Sequence, residues 1–219
     1  MRIIDDCEQG SEKWERLRAR ATASEFHSFI TPARGDYSAQ ATAYAAKIVA
    51  KRLRVYTEPP PTYWMTWGTE MEPNAKHAYT LQTGRAVRNV AFILPDNTDA
   101  YGGSPDGLVG DDGLLEVKCP DSPTLIAYHA AGILPVQYKP QVQGLLLISG
   151  RAWLDFFVFH PELNPFLLRV EPDEKYQTKI AQCLLLLLQE VERIEARVRK
   201  QHHQLIAPIQ TEVRFGDVE

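Results

Sequence analysis

The sequence predicts an α/β domain in which a mixed β-sheet is flanked by helices. Helical patterns fill the first part of the 219-residue chain, strand patterns follow in the middle, and helices return after them. The run 152–159 is almost wholly apolar, as expected of a strand that is buried on both faces. A Gly-Asp-Asp-Gly turn at 110–113 joins two more strand segments into a hairpin. Because motif residues lie on both sides of every break, we predict a single domain over residues 1–219.

The predicted helices are marked by capping residues and by apolar residues at helical spacing. Ser11 caps a short helix, and Thr22 with Glu25 has the spacing of a capping box that opens a second one. A later helix ends at a Gly84 cap, with its start or a kink near Pro73. The remaining helices are predicted over 38–54, over 122–131 with Ser122 as cap, over 135–148, and over 173–200 with Asp173 as cap. From about residue 201 we expect a loosely held tail.

The predicted strands are short and are separated by turn residues. They cover 87–94, 100–103, the two arms of the hairpin around 110–113, the buried run 152–159, and 166–170.

Composition narrows the class of protein. The chain is 44% hydrophobic, with a net charge of −4 and no apolar run that could span a bilayer. The first ten residues carry acids where a signal peptide needs an apolar core, and the three cysteines form no disulfide framework. We therefore expect a soluble protein of a reducing cytoplasm with no membrane partner. If it binds DNA, its basic residues must be concentrated locally.

The segment 103–120 is the strongest candidate for a chemical site. Asp106 lies in a Ser-Pro-Asp-Gly turn, and Glu116, Val117 and Lys118 follow on the second arm of the hairpin. Alternate side chains of a strand share a face, so Glu116 and Lys118 point the same way and Val117 points into the core. Two carboxylates and an ammonium group suit a site for a hard metal ion. The alternative is a surface hairpin with a solvated Glu and Lys.

A second candidate lies upstream, where a serine at a predicted helix start follows several arginines. Free N–H groups at a helix N-terminus, together with Ser24 and the nearby Arg16, Arg18 and Arg20, can hold a phosphate. The alternative is an ordinary capped helix with a solvated basic face.

Seven short motifs occur in a fixed order and resemble those of the phage lambda-type (YqaJ-like) recombination exonucleases, within the PD-(D/E)xK nuclease superfamily. They are Trp14-x-x-Leu-Arg18, Thr22-Ala-Ser-Glu25, Trp67-Gly-x-x-x-Glu72, Ser104-Pro-Asp-Gly-Leu108, Leu115-Glu-Val-Lys-Cys-Pro120, Gln141-Val-Gln143 and Asp173-Glu-Lys-Tyr176.

The resemblance implies a restriction-endonuclease-like core. It also implies a 5′→3′ exonuclease that acts on linear double-stranded DNA at alkaline pH, releases 5′-mononucleotides and leaves 3′ overhangs for recombination by strand annealing. Further implications are a ring-shaped homotrimer, a single-strand annealing protein as partner, and a phage or prophage gene expressed in a bacterial cell.

The resemblance also implies roles for particular residues. Asp106, Glu116 and the backbone carbonyl of Val117 would hold Mg²⁺ or Mn²⁺, and Lys118 would position or deprotonate the attacking water. Glu72 would serve a second metal ion or its water, with Glu70 as the competing candidate, and Gln141 would contact the reacting region.

The remaining implied roles concern the DNA end. Arg18, Ser24 and Ser104 would hold the 5′-terminal phosphate, with Arg16 and Arg20 as rivals of Arg18. Met65 would wedge between terminal bases, unless it is a core methionine. Two alternatives to the exonuclease are an endonuclease of the same superfamily, of restriction or repair type, and a catalytically inactive module that binds DNA ends.

Overall fold

A five-stranded mixed sheet forms the centre of the computed structural model, which describes the backbone of residues 1–8 and 10–212 and side chains as far as residue 201. In chain order its strands are β3 (Val87–Arg88), β6 (Gly107–Val109), β7 (Gly113–Lys118), β8 (Trp153–His160) and β9 (Leu163–Val170). The strands lie side by side in that order; β7 and β8 are parallel, and the other pairs are antiparallel. The predicted α/β class with a mixed sheet is therefore confirmed.

Two small sheets flank the central one. In one, β1 (Arg2–Ile4) pairs antiparallel with β4 (Phe92–Leu94); in the other, β2 (Ala21–Thr22) pairs parallel with β5 (Tyr101–Gly102). The helices are α1 (Glu12–Leu17), α2 (Ala41–Arg52), α3 (Tyr63–Thr83), α4 (Ser122–Ala131), α5 (Lys139–Ser149) and α6 (Glu174–Glu212). Two 3₁₀ helices cover Ala23–Ser28 and Val136–Tyr138.

The alternation of β7 side chains separates two hydrophobic cores. Leu114 packs into the larger core, which contains buried residues of α2, α5 and α6, whereas Leu115 and Val117 pack on the opposite face beneath α3. Glu116 lies on the same side of the strand as Leu114. Its carboxylate therefore leaves the sheet on the face that α5 covers, as the predicted strand pattern requires.

A buried polar network fixes α3 to its face of the sheet. Asp155 of β8 is 1% exposed, accepts a hydrogen bond of 2.8 Å from the Tyr79 hydroxyl, and forms two hydrogen bonds of 2.8 Å with Arg169. The Arg169 guanidinium lies 3.7 Å from the centre of the Trp153 ring. Because the buried carboxylate is fully engaged, the network holds α3 in one position without leaving an unpaired charge.

Two capping predictions and one helix start are wrong. Thr22 makes no side-chain capping bond, because it lies in strand β2 and its N–H donates to the Tyr44 hydroxyl. Asp121 rather than Ser122 caps α4, accepting from the Thr124 N–H at 3.2 Å. The helix predicted from residue 38 begins at Ala41. In contrast, Ser11, Gly84 and Asp173 cap helices as predicted.

Several boundaries also differ from the sequence predictions. The α3 helix begins at Tyr63, capped by Thr62, and continues through Pro73 rather than starting near it. The strand predicted over 87–94 is two strands that belong to different sheets, and the helix over 135–148 begins as a 3₁₀ turn. Strand β9 begins at Leu163, three residues earlier than predicted.

The last helix continues to Glu212 rather than ending near residue 200. Residues 213–219 of the predicted tail lie outside the described residues. Among the described helices, none is both long and apolar enough to cross a membrane.

Candidate active site

The hairpin of β6 and β7 brings the predicted acids and lysine together. In the antiparallel pairing of β6 with β7, Gly107 lies opposite Leu115. Asp106, just before β6, therefore lies beside the end of β7. Its Oδ2 accepts a hydrogen bond of 2.6 Å from the Val117 N–H. Glycine is required at 107, because a Cβ there would lie 2.2 Å from a methyl carbon of Val87. Glu116 is only 2% exposed, so the alternative of a surface hairpin with a solvated glutamate is wrong.

Glu116 is the buried centre of this cluster. Its side chain is 3% exposed, and its Oε1 accepts hydrogen bonds from Lys118 Nζ at 2.7 Å and from Gln141 Nε2 at 2.5 Å. Gln141 reaches it from α5. The other glutamine of the same motif, Gln143, instead accepts from the Asp173 N–H and so joins α5 to the start of α6.

The charges of the cluster act strongly on one another. Burial, and then the neighbouring charge of Glu116, raise the pKa of Asp106 well above its ordinary value. Burial alone would lower the pKa of Lys118, but the carboxylates of Glu116 and Asp106 outweigh it, and the net pKa is raised. Without a further cation, the repulsion between the two carboxyl groups thus raises the pKa of Asp106, and their attraction for the ammonium group raises the pKa of Lys118.

The donor set fits a divalent cation. Glu116 Oε2 is buried and has no hydrogen-bond partner among the described residues. A buried carboxylate oxygen without a partner is costly, and a cation held between Glu116 and Asp106 would remove that cost and their repulsion. Within the described part of the chain, no three His, Cys, Asp or Glu side chains form a metal-binding group. Two carboxylates would therefore need completion by a backbone carbonyl and water, as the Val117 prediction requires.

A cleft of about 680 Å³ opens beside the cluster. Met65, Glu72, Asp106, Val117 and Lys118 line it, together with Trp64, Gly68, Thr69, Cys119, Pro120, Asp121, Thr124 and Tyr138. Met65 is 61% exposed, so it is not a core methionine.

Glu72 lies in this cleft, whereas Glu70 is exposed and does not line it. The structure therefore favours Glu72 over Glu70. It does not bring Glu72 against the two hairpin acids; instead Glu72 forms an ion pair of 2.6 Å with Lys76.

A second cavity of about 220 Å³ lies on the other side of the hairpin. All three residues predicted to hold a phosphate, Arg18, Ser24 and Ser104, line this cavity. Residues of the hairpin cluster line it as well, together with three neighbours: Asp106, Glu116, Lys118 and Gln141, and Trp14, Thr22 and Phe92. Asp106 and Lys118 line both cavities.

The two rival arginines point elsewhere. Arg16 pairs with Glu12 one turn earlier on α1, and Arg20 donates to the Asp99 carbonyl at 2.7 Å. Neither lines the second cavity. Arg18 is thus the arginine of the three that faces the hairpin acids.

Two residues of the site had no role in the sequence predictions. Trp14 was only a motif position, but its ring lies 4.5 Å beneath the Arg18 guanidinium carbon and its indole N–H reaches Ser104. Tyr138 lies in the 3₁₀ turn before α5, with its ring 5.1 Å from Lys118 Nζ. The spacing of Trp14 to Arg18 was a usable signal for the first. No sequence pattern pointed to Tyr138.

Comparison with known proteins identifies a matching family and several similar solved structures. Residues 13–152 match the model of the YqaJ-like viral recombinase domain. The crystal structure of an alkaline exonuclease (LHK-Exo) from Laribacter hongkongensis is 31% identical and superposes with a TM-score of 0.80, covering 89% of this chain and 100% of that one. A second structure of LHK-Exo, in complex with dAMP, matches equally.

A phage-related exonuclease from Haemophilus somnus 129PT is 14% identical, with a TM-score of 0.63 over 82% of this chain and 96% of that one, and shares the fold. No protein of curated function matches in sequence.

Proposed function

This chain belongs to the YqaJ-like viral recombinase family, and we propose that it is a metal-dependent 5′→3′ exonuclease acting on linear double-stranded DNA. Its products would be 5′-mononucleotides and a 3′ single strand suited to recombination by annealing. The observation that carries the proposal is the second cavity, in which a phosphate-binding set of Arg18, Ser24 and Ser104 adjoins the acids of the hairpin. A site of that composition binds a chain end next to the place where cleavage would occur. LHK-Exo, described as an alkaline exonuclease, is similar over its whole length and supports the exonuclease part of the proposal.

Asp106, Glu116 and the carbonyl of Val117 are our candidates to hold Mg²⁺ or Mn²⁺. When bound, the cation would supply charge neutralisation and Lewis acidity at the scissile phosphate. Lys118 would orient the attacking water and neutralise negative charge on the phosphoryl group as it develops. Gln141 holds Oε1 of Glu116 and so directs the free Oε2 of that carboxylate. Glu72, further along the cleft, would serve a second cation or its water shell.

Lys118 could act as a base only if its pKa fell. In the cation-free site its pKa is raised, because the charges of Glu116 and Asp106 outweigh burial. Neutralisation of those two carboxylates would leave burial as the dominant effect on Lys118, and burial lowers the pKa of an amine. An alkaline optimum, as in the name of LHK-Exo, is consistent with this reasoning.

The terminal phosphate would be fixed by one cation and two hydroxyl groups. Arg18 supplies the charge, and Ser24 and Ser104 supply donors from two different elements. Anchoring the end determines which phosphodiester bond meets the metal site, and this positioning favours reaction. Met65, exposed at the cleft, would contact the terminal base pair, where an apolar side chain can separate stacked bases.

The decisive experiment measures release of acid-soluble nucleotides from linear duplex DNA with Mg²⁺ and with a chelator. We expect release that depends on the metal ion and is faster from 5′-phosphorylated than from 5′-hydroxyl ends. Closed circular duplex should stay intact; its cleavage would favour the endonuclease alternative. End binding without nucleotide release at any metal concentration would favour the inactive module.

We also propose a homotrimeric ring and a single-strand annealing protein as partner. Both follow from membership of the family rather than from a measured surface of this chain. Light scattering would test the first, and co-purification with a single-strand annealing protein would test the second.

A further inference from the structure

The indole N–H of Trp14 lies between two oxygen acceptors. It is 3.2 Å from Ser104 Oγ and 3.3 Å from the Ala91 carbonyl oxygen, so it can donate to either. The Ser104 hydroxyl itself donates to the same Ala91 carbonyl at 2.8 Å. Three groups from segments far apart in the chain therefore form one small triangle beside the second cavity.

This triangle sets a condition on the use of Ser104. A serine hydroxyl has one proton, and here Ser104 directs it at Ala91 rather than into the cavity. To donate to a phosphate oxygen, the hydroxyl must rotate away from the carbonyl. Ala91 is 8% exposed, and a buried carbonyl left without a donor destabilises the protein.

We propose that Trp14 is a positioning residue that releases the Ser104 hydroxyl for a terminal phosphate by taking over the Ala91 carbonyl. In the free protein the Ser104 O–H donates to Ala91 and the indole N–H is shared. With a phosphate in the cavity, the indole N–H donates to Ala91 alone, and the Ser104 O–H donates to the phosphate. The number of satisfied groups does not fall in the exchange. The inference rests on the proposed function, because it needs a terminal phosphate in this cavity.

The ring of Trp14 has a second, separable contact. The guanidinium carbon of Arg18 lies 4.5 Å from the ring centre, within cation–π range. A phenyl ring would keep much of that contact while removing the N–H. Trp14→Phe therefore tests the hydrogen-bond exchange with little change to the charge in the cavity.

The experiment compares 5′-phosphorylated with 5′-hydroxyl duplex ends in wild type, Trp14→Phe, Ser104→Ala and the double variant. Binding is measured by fluorescence anisotropy in a chelator, and cleavage is measured with Mg²⁺. A hydrogen bond to a charged group corresponds to roughly tenfold or more in affinity. We expect Trp14→Phe to lower the phosphate preference by about that factor, and to lower it no further when Ser104 is already alanine.

Trp67→Phe is the matched control. Its indole N–H is buried and has no hydrogen-bond partner in the described structure, so the same substitution removes no bond there. We expect the ratio between the two kinds of end to stay at the wild-type value in this variant. A ratio that falls as much in Trp67→Phe as in Trp14→Phe would overturn the exchange mechanism.

The remaining outcomes separate the inference from the proposed function. Two outcomes would overturn the inference alone. One is that Trp14→Phe keeps the wild-type preference for phosphorylated ends; the other is that the losses of this preference in Trp14→Phe and Ser104→Ala add up in the double variant. Equal binding and cleavage of both ends by the wild type would overturn the phosphate pocket as well.

A measurement on the wild type covers the case in which Trp14→Phe does not fold. One of the indole N–H signals in an NMR spectrum of nitrogen-15-labelled protein should shift with a 5′-phosphorylated oligonucleotide and not with the 5′-hydroxyl form. Identical spectra with the two ligands would refute the exchange.

Discussion

Replacement of Lys118 by methionine should lower the stability of the metal-free protein and also abolish cleavage. Methionine keeps most of the apolar stem and removes the charge. Glu116 would keep its bond from Gln141 but lose its ammonium partner, while Asp106 would remain beside it. The metal-free protein would then hold two neighbouring carboxylates with no compensating cation, so we expect lower stability in a chelator as well as loss of cleavage.

The magnitude follows from the geometry. At 2.7 Å and an effective dielectric constant of about 20, the attraction between Lys118 and Glu116 is roughly 6 kcal/mol. Desolvation of both groups offsets much of it. Removing one member of a buried pair typically costs 3–5 kcal/mol, and we expect about 3 kcal/mol because a quarter of the Lys118 side chain is exposed.

The loss of stability in Lys118→Met should depend on pH. Burial and the charge of Glu116 raise the pKa of Asp106, whereas Lys118 lowers it, so the variant should raise that pKa further. A carboxyl whose pKa is higher in the folded than in the unfolded protein binds more protons when folded. Its effect is therefore to reduce stability as the pH rises from about 3.9 through the folded-state pKa. The difference in the free energy of unfolding between wild type and Lys118→Met should be largest near pH 8 and should become smaller at acidic pH.

Urea unfolding, followed by tryptophan fluorescence in a chelator at pH 5.5 and pH 8, measures both effects. Lys13→Met is the control, because Lys13 pairs with Asp6 at the exposed surface and its loss should change the free energy of unfolding by no more than about 1 kcal/mol. The reasoning fails if Lys118→Met is as stable as the wild type at pH 8, or if its deficit is the same at both pH values.

Four other predictions concern the end pocket, the metal site, the fold and the assembly. Arg18→Ala should remove the preference for 5′-phosphorylated ends, whereas Arg20→Ala should keep it; equal losses in the two variants would contradict the assignment of Arg18. Asp106→Asn should abolish both nucleotide release and the rise in Tm on adding Mg²⁺, and a retained rise in Tm would remove Asp106 from the metal site. Tyr79→Phe leaves buried Asp155 with one donor fewer and should lower the free energy of unfolding by about 1–2 kcal/mol in urea titrations, without changing the dependence of cleavage on Mg²⁺. Light scattering at working concentration should give the mass of a trimer, and a monomeric mass would refute the ring.

The hairpin of the candidate site could be predicted from sequence because the signals that form it are local. The Gly-Asp-Asp-Gly turn, the strand alternation and the short loop fix the relation of Asp106 to Glu116 within a few residues. Thr22 and Glu25 show the opposite case. Their spacing is that of a capping box, but Thr22 is drawn into a parallel strand pair and Glu25 forms an ion pair with Lys47. A contact with a distant segment overrode the local signal.

The choice among the arginines also depended on tertiary structure. Arg16 and Arg18 lie on the same six-residue helix or at its end, and sequence spacing alone ranks them only weakly. Their directions differ because Arg18 stacks on Trp14, whose position depends on bonds to residues 77 and 90 positions away. No local pattern carries that information.

Ser104 and Asp106 belong to one turn and are separated only by Pro105, whose ring fixes φ near −65°. If Ser104 holds the end of the chain and Asp106 serves the bond that is cut, then covalent geometry sets the length of each step along the DNA. The turn would then hold the terminal phosphate and the bond that is cut at a fixed separation. In that case an inserted residue would change the size of the product as well as the rate, a constraint that the surface loops of the same fold do not share.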